Sequence, residues 1–261
     1  MMSTSGGAEW FTALKPDARQ RLRLFCFPYA GGGAQIFRAW PDGLPSTVEV
    51  CTAQLPGRGS RIREQPFSDL QALVRAVGAE ILPLLDKPFA FFGHSMGAMI
   101  SFELARHLRR EHGVQPLQLF VSGRRAPQLP ITEPPSYDMP QDLFYEQLRT
   151  LNGTPTEVLE HPELMELMLP LLRADFSVVE TYAYTQEPPL DVPITVFGGL
   201  QDHKVNREVL TPWREQTTAA FTVRMLPGDH FFLNTAQPTL LALLSKELVR
   251  LVSAATSGPA G

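Results

Sequence analysis

A serine hydroxyl is a poor nucleophile until a neighbouring base takes its proton, so a candidate serine needs both a special local setting and partners elsewhere. Ser95 has the setting: Gly93-His94-Ser95-Met96-Gly97 follows the strand-like run Phe89-Ala-Phe-Phe and opens the helix-like run Ala98-Met-Ile-Ser-Phe-Glu-Leu-Ala-Arg. A G-x-S-x-G string arises by chance in roughly one chain in ten of this size. The strand–turn–helix context makes it specific, because a sharp turn there lifts the serine out of regular backbone. The two glycines leave room where strand and helix approach each other, and the helix amino end favours developing negative charge.

The base comes from the remaining histidines. His107 and His112 lie in a charged run with Arg106, Arg109, Arg110 and Glu111, which reads as a solvated face, and His161 starts a later helix. His203 directly follows Asp202, and His230 sits in Pro227-Gly-Asp-His-Phe-Phe, just past the last expected strand. His230 is the better base, because loops after parallel strands meet at the sheet's carboxyl edge. Asp202, at the end of Val196-Phe-Gly-Gly-Leu-Gln-Asp, reaches the same edge and would fix the tautomer and stabilise the imidazolium. Asp229 adjoins His230 and is expected to cap the turn, and Asp191 precedes its strand at the wrong end. Acyl transfer also needs donors for an oxyanion. The N–H of Met96 is one, and the loop Phe27-Pro-Tyr-Ala-Gly-Gly-Gly after the first core strand is expected to bring the other. Gly31-Gly32-Gly33 lacks the lysine and threonine of a phosphate loop, and Gly57-Arg-Gly59 has no third glycine at dinucleotide spacing.

Elements that can position these groups are legible as apolar runs at about Leu22–Phe27, Val48–Gln54, Phe89–Phe92, Leu117–Ser122, Ile194–Phe197 and Phe221–Leu226. Their near-continuous hydrophobicity suits strands covered on both faces. Between the second and third, Ser68 with Gln71 reads as a capping box ahead of Leu70, Leu73, Val74, Val77 and Ile81 at helical spacing. A last helix is expected from about Pro238 to Val252. Alternating strands and helices, with the order Ser95, Asp202, His230, define an α/β-hydrolase fold. One stretch breaks the rhythm. Pro127, Pro130, Pro134, Pro135 and Pro140 precede helical segments near Gln141–Leu151 and His161–Tyr182, and Leu164, Met165, Leu167, Met168, Leu169, Leu171 and Leu172 are too many apolar residues for one helix face. This reads as an inserted helical lid over residues 129–185, with two ordinary crossover helices as the alternative. The core is then 22–128 and 186–252, with an N-terminal segment 1–21 and a disordered tail 253–261.

The 261 residues carry a formal charge of −4, which offers no positive field for nucleic acid. Cys26 and Cys51, the only cysteines, lie in strand-like runs and read as core residues without metal-site spacing. No signal-peptide core or membrane span is present, so a cytoplasmic protein without metal or cofactor is expected.

The motifs Phe27-Pro-Tyr-Ala-Gly-Gly-Gly, Gln54-Leu-Pro-Gly-Arg-Gly, Gly93-His-Ser-Met-Gly-Ala, Gly123-Arg-Arg-Ala-Pro, Arg173-Ala-Asp-Phe, Gly198-Gly-Leu-Gln-Asp and Gly228-Asp-His-Phe-Phe span about residues 22 to 250. Together they resemble the type II, stand-alone thioesterases that accompany polyketide and nonribosomal peptide synthases. The resemblance implies a catalytic triad of Ser95, Asp202 and His230 with Ala30 and Met96 as oxyanion donors. It also implies an acyl- or peptidyl-carrier protein bearing phosphopantetheine as partner, and a monomer. Tyr29 stands where many relatives have histidine. Tyr29, Met165, Met168 and Phe231 are candidates for lining the acyl chamber. The clusters Arg58, Arg61, Arg63 and Arg124, Arg125 are candidates for facing the carrier, with a solvated loop or a structural ion pair as the alternative for each.

The triad alone does not separate a thioester from an oxygen ester. A general carboxylesterase or lipase and a chain-releasing, cyclising thioesterase stay open beside the hydrolytic reading. Cyclising domains are usually fused to a synthase, whereas no long linker precedes the motifs here. A carrier-binding protein without activity is disfavoured by the intact serine, acid and histidine.

Overall fold

Runs that are apolar on successive residues can be buried only in a sheet covered on both faces. The computed structural model, which describes residues 10–151, 153 and 159–256, meets that demand with a seven-stranded sheet. Its strands are β1 (Phe11–Leu14), β2 (Leu22–Phe27), β3 (Val48–Ala53), β4 (Phe89–His94), β5 (Leu119–Ser122), β6 (Ile194–Gly199) and β7 (Phe221–Leu226). The spatial order is β1-β3-β2-β4-β5-β6-β7. β1 runs antiparallel against β3 at one edge, and all other neighbours are parallel. Every residue of β2 to β6 is buried, while β7, at the other edge, is mostly half-exposed. This is the α/β-hydrolase architecture.

Because side chains alternate along a strand, the sheet divides two cores. Phe25, Phe27, Phe91 and Val121 face helices α1 (Leu70–Ile81) and α2 (Met96–His112), whose Leu73, Val77, Met99 and Phe102 pack on them. Leu24, Cys26, Phe92, Phe120 and Phe197 face Trp40 and the last long helix, through Leu240, Leu244 and Leu248. Burying one such large side chain stabilises the fold by about 1.5–3 kcal/mol. Between β5 and β6 lie α3 (Gln141–Leu151) and α4 (Pro162–Glu180), with their own apolar cluster of Phe144, Leu148, Met165 and Leu172. The proline-rich segment ahead of them is strapped to α4. The Arg173 guanidinium donates to the carbonyls of Tyr137 at 2.6 Å and Met139 at 2.7 Å, and the Glu180 carboxylate accepts the N–H groups of Ser136 and Tyr137. The chain closes with α5 (Gln237–Thr256).

Within the N-terminal segment, Phe11–Leu14 forms the antiparallel edge strand β1. Two expectations are corrected. Asp69 caps α1, its carboxylate accepting the Ala72 N–H at 2.7 Å, and Ser68 lies one residue outside the cap. The final helix runs on to Thr256, so Ser253–Thr256 are helical, and residues 257–261 of the expected tail lie outside the described residues. Residues 1–9 and parts of the expected lid, 152 and 154–158, also lie outside them. Among the described residues no helix is long and apolar enough to cross a membrane.

Cys26 and Cys51 are free and buried. Burial pushes the Cys26 thiol well above its ordinary value and the Cys51 thiol up to about 12. The thiolate is the reactive form. The folded protein therefore leaves both thiols unmodified by iodoacetamide at mildly alkaline pH, and concentrated guanidinium exposes both. Mass spectrometry reads the outcome, and native labelling at the rate of a free thiol contradicts this packing.

Candidate active site

The site is built at the carboxyl edge of the sheet, where β4 passes into α2. Ser95 is the residue between them, with φ 53° and ψ −111°, one of two non-glycine residues at positive φ among those described. Such backbone costs of order 1–3 kcal/mol and persists only where neighbours enforce it. The enforcement is close packing. A Cβ on Gly93 would collide with the Gly97 carbonyl, and a Cβ on Gly97 would collide with the Phe27 carbonyl at the end of β2. The Ser95 N–H is anchored to the Ser122 carbonyl at 2.8 Å. Two adjacent strands thus hold the serine at the head of α2.

Asp202 follows β6 and His230 follows β7. His230 Nδ1 and Asp202 Oδ2 lie 2.7 Å apart, and the carboxylate is almost fully buried. The other carboxylate oxygen, Oδ1, accepts the N–H groups of Lys204 at 3.0 Å and Val205 at 2.9 Å. Burial opposes ionisation of Asp202. The His230 hydrogen bond, the His230 charge and the two N–H groups outweigh it and hold the carboxyl below its usual value. Asp229 caps the turn as expected, accepting the Phe231 N–H at 2.8 Å. His203 is exposed on the cavity rim and makes no contact equivalent to that of His230.

Ser95, Asp202 and His230 line one cavity of about 420 Å³. No hydrogen bond joins the Ser95 hydroxyl to the His230 ring among the described residues, and catalytic contacts of this kind often tighten only around substrate. After β2, Tyr29, Ala30, Gly31 and Gly32 form a turn closed by the Gly32 N–H on the Tyr29 carbonyl at 2.9 Å, with Gly31 at φ 76°. That is the conformation required at the third position of a type II turn. Neither the Ala30 N–H nor the Met96 N–H donates to a protein group among the described residues. Ala30 lines the cavity together with Ser95, and Met96 directly follows Ser95 at the head of α2.

Tyr29 and Phe231 line the cavity, their rings edge to face at 5.1 Å. Met165 and Met168 do not. Met165 is buried in the cluster between α3 and α4 and Met168 packs against it, whereas Leu148, Leu172 and Phe176 form the greasy wall. Periodicity did not distinguish the helix face turned to the cavity from the face turned to α3. Arg58 and Arg61 are not carrier-facing either. Arg58 is buried in an ion pair with Asp175, and Arg61 is buried against the Glu64 carboxylate and the Gln54 carbonyl. Arg63 is exposed, and Arg125 pairs with Glu133 and the Pro130 carbonyl. Arg124 lines the cavity with no ion-pair partner among the described residues, and burial together with the nearby Arg125 charge pushes its pKa down to about 10. His94 also belongs to the site, with no sequence signal beyond its place in the elbow. Its ring is fully buried 5.2 Å from that of His230, with Nδ1 2.8 Å from the Ser122 hydroxyl. Burial holds it neutral, well below the ordinary histidine value, so it does not compete as a base.

Fold, strained serine and the histidine–carboxylate pair define a member of the α/β-hydrolase class. The Thioesterase domain family matches residues 22–248, and the chain belongs to that family as a hydrolase acting on thioesters. It is similar to the gramicidin S biosynthesis protein GrsT of Aneurinibacillus migulanus, at 49% identity over 246 residues, covering 94% of this chain and 96% of GrsT. Among solved structures it resembles the RedJ thioesterase from the prodiginine biosynthetic pathway of Streptomyces coelicolor, with TM-score 0.83 and 40% identity, over 90% of this chain and 89% of RedJ. It also resembles the type II thioesterase BorB from the borrelidin biosynthetic cluster, with TM-score 0.84 and 32% identity, over 92% of this chain and 97% of BorB.

Replacing Asp202 by Asn keeps the shape but favours the wrong His230 tautomer, so kcat for thioester hydrolysis falls about 10²–10⁴-fold while the fold survives. A depressed folded-state pKa contributes stability above the unfolded value of about 3.9 and loses it as pH falls through the folded value. Acid denaturation curves should therefore show wild type losing its advantage over Asp202→Asn below about pH 4. A constant difference down to strong acid contradicts a carboxylate held ionised by its hydrogen bonds.

Proposed function

We propose that this chain releases acyl groups from the phosphopantetheine arm of carrier proteins serving polyketide or nonribosomal peptide synthesis, clearing stalled or aberrant chains. The observation that carries the reading is the convergence of Ser95, the His230–Asp202 pair and Ala30 on one largely apolar cavity, with the unengaged Met96 N–H directly after Ser95 in the chain. Relatives named for gramicidin S, prodiginine and borrelidin biosynthesis support the setting.

Catalysis runs in two stages. His230 Nε2 takes the Ser95 proton as the oxygen attacks the thioester carbonyl, and the oxyanion is received by the N–H groups of Ala30 and Met96. The tetrahedral intermediate collapses by breaking the carbon–sulfur bond, and the pantetheine thiol departs with the proton from His230. A thiol with pKa near 8.5 leaves readily, so oxyanion stabilisation weighs more than leaving-group protonation, and one donor is worth about 3–4 kcal/mol. Water, deprotonated by the same imidazole, then attacks the acyl-Ser95 ester and frees the acid. Asp202 stays ionised throughout and stabilises the imidazolium. Helices α3 and α4 act as the lid of the acyl chamber, and Leu148, Leu172 and Phe176 receive the acyl chain.

A panel of acyl-carrier proteins, assayed beside simple oxygen esters, tests this. Wild type should turn over carrier thioesters with kcat/KM well above that for oxygen esters and give linear acids by mass spectrometry. Ser95→Ala should lower the rate by about 10³-fold or more. Full turnover by the alanine variant, or a preference for oxygen esters, overturns the proposal.

A further inference from the structure

The buried ion pair that removed Arg58 from the candidate carrier surface joins three segments at a point beside the nucleophile. Asp175, on α4, accepts from Arg58 at both carboxylate oxygens, Nη2 to Oδ1 at 2.7 Å and Nη1 to Oδ2 at 2.9 Å. Oδ2 also accepts the Gly31 N–H at 2.7 Å, and Arg58 Nη1 donates to the Gly32 carbonyl at 2.9 Å. The two side chains are only 6% and 3% exposed, and neither lines the cavity. Arg58 is itself held, its carbonyl accepting from Gln54 Nε2 at 2.7 Å. Leu172, three residues before Asp175 on the same helix, presses on the turn, and a Cβ on Gly31 would sit 2.7 Å from its Cδ2.

We propose that Asp175 and Arg58 are positioning residues for the oxyanion site, clamping the Tyr29–Gly32 turn to the lid helix α4 so that the Ala30 N–H points at the reacting carbonyl. A bond to the Gly31 N–H fixes the plane of the Ala30–Gly31 peptide, and a bond to the Gly32 carbonyl fixes the peptide two links further on. A peptide plane held from behind keeps the preceding N–H directed into the cavity, and preorganised donors stabilise the transition state without reorganisation during reaction. A bidentate guanidinium–carboxylate pair adds directionality that a point charge lacks. Seating of α4 and formation of the oxyanion site are thereby one event. The proposal rests on the reading of Ala30 as an oxyanion donor.

The test measures kcat, KM and the affinity of an alkylthio-trifluoromethyl ketone, which forms a tetrahedral oxyanion adduct with an active-site serine. Removing one member of a buried pair leaves an unpaired charge that destabilises the fold, whereas well-packed apolar replacement of both is often tolerated. Asp175→Asn is therefore accompanied by the double variant Arg58→Met with Asp175→Leu, and thermal melting follows both. Ser177→Ala serves as control, removing a different α4 contact, the hydroxyl bond to the Ser68 carbonyl at 2.9 Å. The expected result for the double variant is a melting temperature near wild type, with kcat lowered about 10- to 100-fold, a small change in KM and a parallel loss of ketone affinity. Asp175→Asn should share the kinetic pattern, and Ser177→Ala should match wild type. A folded double variant with wild-type kcat and ketone affinity overturns the clamp, as does an equal kinetic loss in Ser177→Ala. Failure of the underlying site reading is distinct. There the ketone forms no adduct on wild-type Ser95, and the clamp falls with it.

Discussion

The organising constraint is a steric one, the approach of α2 to the ends of β2 and β4. Gly97 abuts the Phe27 carbonyl and Gly93 abuts the Gly97 carbonyl, and no larger residue fits at either place. This closeness throws Ser95 into a conformation its own backbone disfavours. It also sets Met96, the first residue of α2, directly after the serine, so one piece of packing places both. The strain is sustained by the fully buried Phe25, Phe27, Phe91 and Phe92, which make the two strands and their cover too well packed to relax.

From that fixed point the rest of the site follows from sheet topology. Parallel strands deliver their carboxyl ends to one edge, and β6 and β7 bring Asp202 and His230 there from residues far apart in sequence. The Asp202 carboxylate is engaged at both oxygens, because the N–H groups of Lys204 and Val205 meet the oxygen that His230 does not use. The glycine turn after β2 supplies the opposite wall. Arg58 and Asp175 hold it from outside and tie it to α4.

Much of this was legible in the sequence, for physical reasons. The strands of a doubly covered sheet are nearly continuous in apolar residues, so β2, β3, β4 and β6 stand out. The elbow glycines and the Asp202 and His230 loops occupy positions that only the topology explains. The rest was not, for reasons equally physical. Phe11–Leu14 is short and half-exposed, so no periodicity betrays β1. Asp69 and Ser68 are both good caps, and the choice between them depends on where the chain enters the helix. Arginine in a loop after a strand looks the same in sequence whether it meets solvent or a buried carboxylate. The partner of Arg58 is Asp175, more than a hundred residues away on another element. Met165 and Met168 share a helix with Leu172 and Phe176, and only the packing of α3 decides which side faces the cavity.

The most direct measurement is a crystal structure of the protein with a boronic acid bound covalently to Ser95, whose tetrahedral anion imitates the first intermediate. The account predicts one boronate oxygen about 2.7–3.1 Å from the N–H nitrogens of both Ala30 and Met96. A second oxygen should hydrogen-bond to His230 Nε2, with the His230–Asp202 contact retained. An adduct whose oxygens meet neither backbone N–H group, or that leaves His230 without contact to the serine, contradicts it.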